Sequence, residues 1–98
     1  MVQKIVWTPT AETNFEDIIA YLIVSFGEST VYDFTNILNK KLDLIKTQPK
    51  IHAIDNKKKN IRKAVVNKRL IIFYRLKPRK GEIELISLWD TRQKPKYK

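Results

Sequence analysis

Hydrophobic residues recur at spacings of three and four in the first half of the chain, which predicts amphipathic helices. The first helix is expected to begin after Thr8, whose hydroxyl can cap it, with Pro9 in the first helical position. Gly27 is suited to end this helix, because glycine readily adopts the left-handed conformation. The apolar stripe of this helix consists of Ala11, Phe15, Ile18, Leu22 and Phe26.

A second helix is predicted directly after that glycine. Ser29 or Thr30 can cap it, and Pro49 is expected to stop it, because proline lacks the backbone N–H that a helix needs. Two helices joined by so short a turn are expected to lie antiparallel as a helical hairpin. The apolar stripe of the second helix consists of Val31, Phe34, Leu38, Leu42 and Ile45.

The remaining segments are rich in β-branched and aromatic residues and predict strands. Asn67 is expected to form a tight hairpin turn with Lys68, since asparagine tolerates positive φ. A second turn is expected between Pro78 and Gly81. The predicted strands are 2–7, 61–66, 69–77 and 82–89, with an exposed loop at 50–60 and a basic tail at 90–98.

The order strand, helix, helix, strand, strand, strand predicts an α+β fold in a single domain over residues 1–98. A helical hairpin returns the chain to the end that it left, so the second strand should run opposite to the first. Two further hairpins then make the fourth strand antiparallel to the first and able to pair beside it. We therefore expect one antiparallel sheet with both helices on one face.

Charge is divided unevenly between the two halves of the chain. Residues 1–48 hold four Lys or Arg and six Asp or Glu, whereas residues 49–98 hold sixteen and four, and the whole chain carries +10. A clustered positive field attracts polyanions and acidic protein segments. We therefore expect the uncovered face of the sheet to form a single cationic surface.

Several classes of site and location are disfavoured by composition. The chain has no cysteine, which excludes disulfides and thiolate zinc sites, and its lone histidine, His52, has no companion ligand. We expect no metal and no cofactor. The longest apolar run is far shorter than the roughly 20 residues of a membrane span, and no signal peptide is recognisable, so a cytoplasmic protein is expected.

Taken in order, the segments KIVWTPTAETNFEDIIAYL, IRKAVVNKRLIIFYRL and ISLWDTRQKPKY resemble the RelE/ParE superfamily of bacterial type II toxins. The resemblance implies a growth-inhibiting toxin, of the kind associated with plasmid stabilisation, that a cognate antitoxin neutralises in a hetero-oligomer. RelE-like members are mRNA interferases that cut messenger RNA on the ribosome without a metal, and ParE-like members poison DNA gyrase. A basic nucleic-acid-binding module without catalytic activity is the alternative.

The residues that RelE-like nucleases use are only partly matched. By resemblance, Arg62, Arg92 and Tyr97 occupy catalytic positions, whereas Ala64 and Ile71 stand where cations are expected. Each lost cation of this kind typically lowers the rate about a hundred- to a thousand-fold. A metal-independent endoribonuclease therefore stays open beside a gyrase-directed toxin. We expect Arg62, Arg92 and Tyr97 to lie on the uncovered face of the sheet and its rim. The target-binding residues expected on the same surface are Lys57, Lys58, Lys59, Arg69, Arg75 and Lys94.

Overall fold

The computed structural model describes residues 4–91, and its first half is the expected pair of helices. Helix α1 spans Pro9–Phe26 and is capped by Thr8, whose side chain accepts a hydrogen bond from the backbone N–H of Ala11. Helix α2 spans Glu28–Thr47. Gly27 alone joins them at a φ of 93°, a positive value that glycine adopts without strain.

The start of α2 differs from the prediction. The helix begins at Glu28, so Ser29 and Thr30 lie inside its first turn, and no side chain caps it. The expected capping role of Ser29 or Thr30 is therefore wrong. A single glycine leaves no room for a separate capping residue between two consecutive helices.

Five strands form one sheet in the spatial order β1-β5-β4-β3-β2. One of them, β2, lies in the segment predicted as a loop, and β5 reaches Asp90, which the sequence assigns to the tail. Their bounds are β1 Lys4–Trp7, β2 Ile54–Asn56, β3 Ile61–Val65, β4 Leu70–Lys77 and β5 Glu82–Asp90.

The sheet is mixed rather than wholly antiparallel. β1 pairs with β5 in parallel, from Lys4 opposite Glu82 to Trp7 opposite Leu85, whereas the other three pairings are antiparallel. The prediction that the last strand runs opposite to the first is therefore wrong. The short strand β2 adds one reversal of chain direction between the helices and β3, and this reverses the direction of every later strand.

The turn between β3 and β4 also differs in detail. The Asn67 Oδ1 accepts hydrogen bonds from the backbone N–H groups of Arg69, at 2.7 Å, and Leu70, at 3.0 Å. Among the non-glycine residues from 4 to 91, positive φ occurs at Asn60. Asn67 thus shapes the turn with its side chain and does not use the positive φ that asparagine tolerates.

Both helices pack on one face of the sheet, as predicted, and form a two-layer core. Phe15 links the layers: its ring contacts Trp7 of β1 edge-on at 5.5 Å and stacks with Phe34 of α2 at 6.2 Å. Within residues 4–91, neither helix is both long and apolar enough to cross a bilayer. Fully buried core side chains include Ile18, Leu22, Leu38, Ile45, Ile72, Tyr74, Ile83 and Leu85.

Candidate functional site

The two faces of the sheet have different side chains, because cross-strand partners point to the same face. The covered face, beneath the helices, includes Ala64, Ile72 and Tyr74 of β3 and β4. The opposite face, which we call the free face, receives the alternate positions. Its side chains on β3, β4 and β5 are Ile61, Lys63, Val65, Ile71, Phe73, Arg75, Lys77, Glu82, Glu84, Ser87 and Trp89.

Arg62 lies on the covered face, not on the free face where we expected it. It is the cross-strand partner of the buried Tyr74, and its Nη1 donates a hydrogen bond to the backbone carbonyl of His52 at 2.7 Å. The guanidinium thereby holds the segment that leads from α2 into β2. The placement of Arg62 on the free face is wrong, because one step along a strand turns a side chain to the other face.

Tyr74 and His52 complete this buried polar corner. The Tyr74 hydroxyl donates to the backbone carbonyl of Pro49 at 2.8 Å, and the His52 ring meets the Tyr74 ring edge-on at 6.3 Å. Burial raises the pKa of the Tyr74 hydroxyl above its ordinary value, although the nearby Arg62 guanidinium acts in the opposite direction. Burial lowers the pKa of His52, and the positive charge of Lys41 lowers it further.

The lowered pKa of His52 predicts a loss of stability in mild acid. The unfolded chain takes up a proton as the pH falls through 6.5, the ordinary pKa of histidine, whereas the folded protein resists protonation. The free energy of unfolding should therefore fall between about pH 7.5 and about pH 5.5, and a His52→Asn variant should lose part of this dependence. Urea denaturation at both pH values measures it.

Because the chain has one histidine, a single imidazole NMR signal reports its titration. A midpoint above 6.5 in the folded protein would contradict the lowered pKa.

Arg75 does lie on the free face, but it is engaged in an ion-pair cluster. Its Nη1 is 3.6 Å from Glu84 Oε1, and Lys77 Nζ is 3.3 Å from Glu84 Oε2. One carboxylate of β5 thus partly neutralises two cations of β4. Pairs this exposed typically stabilise a fold by less than about 1 kcal/mol, so their effect is mainly on the surface charge.

Arg69 lies far from Arg75, in the turn at the opposite end of β4. It lines a cavity beside the start of α2, together with Asp33 and the apolar side chains of Phe34 and Ile37. Arg69 therefore belongs to neither the free face nor the covered corner of Arg62. The expected single cationic surface on the free face is wrong for residues 4–91.

A concentration of positive charge does exist, at one end of the sheet. The register places the β2–β3 turn and the β4–β5 turn side by side, since Ile61 pairs with Arg75 and Lys4 and Lys77 both pair with Glu82. The eight cations of this basic end are Lys4, Lys57, Lys58, Lys59, Arg75, Lys77, Arg79 and Lys80.

Sequence reasoning found four members of the basic end, Arg75 and the three lysines of the β2–β3 turn. It missed Lys4, Lys77, Arg79 and Lys80, although Arg79 and Lys80 were visible in the predicted turn between Pro78 and Gly81. The missing signal was the parallel direction of the β1–β5 pairing, which brings Lys4 beside that turn.

The other predicted site residues are placed as follows. Ala64 is fully buried beneath the helices, and Ile71 is 9% exposed on the free face, so neither position carries a cation. Arg92, Lys94 and Tyr97 lie outside the described residues, and their predicted roles stay predictions. Residues 4–91 contain no group of three His, Cys, Asp or Glu side chains arranged to hold a metal ion.

Residues 5–95 match the family model described as the ParE toxin of the type II toxin–antitoxin system parDE. The chain belongs to the ParE toxin family. It is therefore a toxin of the type II toxin–antitoxin class, and the RelE/ParE resemblance of its sequence is confirmed. A search of curated proteins finds no match to the chain.

Solved structures with this fold come from several bacteria. The chromosomal ParDE toxin–antitoxin system of P. aeruginosa is similar at a TM-score of 0.74 and 12% identity, covering 91% of this chain and 96% of that chain. The RelBE2 toxin–antitoxin complex of Mycobacterium tuberculosis is similar at a TM-score of 0.59 and 10% identity, covering 92% of this chain and 99% of that chain. The conserved hypothetical protein HP0894 of Helicobacter pylori is similar at a TM-score of 0.58 and 21% identity, covering 93% of this chain and 97% of that chain. These likenesses show that the ParE-family chain has the fold shared by ParDE and RelBE proteins.

Proposed function

We propose that this ParE-family toxin inhibits growth by acting on DNA gyrase and does not cut messenger RNA. Apolar residues at two expected cation positions support this choice. Ala64 is fully buried in the core and Ile71 is nearly so. A nuclease of the RelE type needs cations there to stabilise the crowded phosphate in the transition state.

The position of Arg62 supports the same proposal. Its guanidinium is committed to the His52 carbonyl beneath the segment that follows α2. Of the three residues that resemble a nuclease set, this one therefore has a structural role in the covered corner. A protein target makes no demand for a general base or for a phosphate clamp.

We propose further that an antitoxin protein holds this toxin inactive in a cytoplasmic hetero-oligomer. The similar P. aeruginosa and M. tuberculosis structures are toxin–antitoxin proteins. In this chain, a groove of about 450 Å³ between α1 and α2 is floored by Trp7, Phe15 and Leu38. Glu12, Glu16, Thr35 and Asn39 complete its lining, and a groove with both apolar and polar side chains suits an amphipathic segment of a partner. The product of the neighbouring gene should co-purify with the toxin, and its co-expression should restore growth.

The target is tested with purified gyrase and supercoiled plasmid. We expect linear DNA to accumulate in the presence of the toxin, and growth to stop when the toxin is expressed alone. Primer extension on cellular mRNA should show no new cleavage. Codon-phased mRNA cuts without linear DNA would instead establish the ribosome-dependent nuclease. If cells expressing the chain stay healthy and neither linear DNA nor cleaved mRNA appears, the chain would instead be a basic nucleic-acid-binding module.

An Arg92→Ala variant helps to distinguish a ribosome-dependent nuclease from a gyrase-directed toxin. If the chain is a nuclease, this change should lower mRNA cleavage about a hundred- to a thousand-fold, as for the loss of one transition-state donor. Lys40→Ala, which removes an exposed cation of α2, is the control for loss of charge alone.

A further inference from the structure

Two aromatic side chains lie on the free face as diagonal neighbours on adjacent strands. Phe73 of β4 is opposite Ser87 of β5, and Trp89 is two residues further along β5, opposite Ile71. Diagonal neighbours of this kind lie roughly 7–8 Å apart, within reach of each other's rings. Both side chains are half-buried, and neither helix packs on this face. Phe73 and Trp89 therefore form an aromatic platform on the free face.

Cations border this platform on one side. Lys63 of β3 is the cross-strand partner of Phe73, is exposed, and has no ion pair within residues 4–91. Beyond it, Arg75 and Lys77 lead along β4 to the basic end. Because Glu84 partly neutralises Arg75 and Lys77, the positive charge around the rings comes mainly from Lys63 and from the two exposed turns.

The platform combines ring surface with adjacent positive charge. The indole Nε1 of Trp89 is buried and has no acceptor among the described residues, so a bound base would meet the face of the Trp89 ring and not its N–H group.

We propose that the free face binds single-stranded nucleic acid, with phosphates along Lys63 and the basic end and bases stacked on Phe73 and Trp89. Proteins that bind single strands without sequence preference use this pairing of a cationic track with aromatic rings. A duplex keeps its base faces stacked inside and cannot use the rings. Base faces and phosphates are common to DNA and RNA, so either strand satisfies the chemistry. The inference does not depend on whether gyrase is the target.

The two tryptophans lie on opposite faces of the sheet, which provides the assay. A Trp7→Phe variant leaves Trp89 as the only tryptophan, and Trp89→Phe leaves Trp7 beneath the helices. Titration with oligo(dT) and oligo(U) of twelve nucleotides should quench Trp89 fluorescence to saturation, whereas Trp7 should change little. The same DNA as a duplex should give no quenching of Trp89. The oligo(dT) and oligo(U) arms show whether DNA, RNA or both bind.

Substitutions test the assignment of the residues, all in the Trp7→Phe background. Phe73→Leu keeps an apolar side chain but removes the ring, and should weaken oligonucleotide binding about tenfold. Lys63→Gln should reduce the slope of log affinity against log salt by about 0.7, the value for one phosphate contact to a single strand. Lys40→Gln, an exposed lysine of α2, is the matched control and should change neither quantity.

Circular dichroism of each variant establishes that it is folded. The proposal is overturned if oligonucleotides leave Trp89 fluorescence unchanged, or if the duplex binds as well as the single strand. It is overturned equally if Lys40→Gln weakens binding as much as Lys63→Gln, since binding would then follow net charge alone. If the free face contacts only a protein, oligonucleotides should leave Trp89 fluorescence unchanged.

Discussion

The Tyr74→Ala variant is expected to lose about 3–5 kcal/mol of its free energy of unfolding, the range for truncating a large aromatic side chain in a core. Tyr74 is 0% exposed and packs among the core residues of both layers. Its hydroxyl also holds the carbonyl of Pro49, so the segment after α2 loses an anchor. The free energy of unfolding of a small domain is about 5–15 kcal/mol in total, so the variant should be marginally stable. Urea denaturation followed by circular dichroism measures the difference.

The Tyr74→Phe variant separates the hydroxyl from the ring. It keeps the packing and removes the hydrogen bond to Pro49, which should cost about 0.5–1.5 kcal/mol. Tyr32→Ala is the matched control, because Tyr32 is 69% exposed and its truncation should change stability by less than about 0.5 kcal/mol. Equal losses for Tyr74→Ala and Tyr32→Ala would show that Tyr74 is not a core residue.

The second large effect is expected at Thr8, where a Thr8→Val variant should lose about 2 kcal/mol. The Thr8 hydroxyl accepts from the Ala11 N–H at 3.1 Å, and it donates towards the carbonyls of Leu85, at 2.7 Å, and Ile86, at 3.1 Å. Ile86 lies at the irregularity where the register between β4 and β5 shifts. One side chain thus caps α1 and satisfies the backbone of β5, and valine does neither.

Thr8→Ser and Thr35→Val are the controls for this variant. Serine keeps the hydroxyl and should retain most of the stability. Thr35 donates to the Val31 carbonyl one turn earlier in α2, and a bond of that kind adds little to a helix, so Thr35→Val should change stability by less than about 0.5 kcal/mol. The assigned role of Thr8 is contradicted if the two valine variants lose the same free energy.

The helices illustrate what is predictable from local pattern. The spacing from Ala11 to Phe26 and the Thr8-Pro9 pair located α1 and its cap correctly. By contrast, β2 has three exposed residues and no apolar alternation, so nothing in its sequence distinguished it from a loop. That strand exists because β3 offers it a partner, and its presence set the parallel pairing of β1 with β5.

The candidate site was predictable in composition but not in arrangement. The excess of positive charge in the second half of the chain was visible in the sequence, as was the apolar character of Ala64 and Ile71. The face on which each cation lies was not, and Arg62, Arg69 and Arg75 proved to lie in three separate places. Side chains alternate along a strand, so a shift of one residue moves every charge to the other face.

Two amphipathic helices, three long β segments and a large positive charge follow from the residues alone, because helix periodicity, capping and turns depend on residues close together in the chain. The strand order, the direction of β5 relative to β1 and the gathering of eight cations at one end of the sheet emerge only in the folded protein. Those features depend on hydrogen bonds between residues as far apart as Lys4 and Gly81. Such pairings form only when the whole sheet assembles over its helical layer.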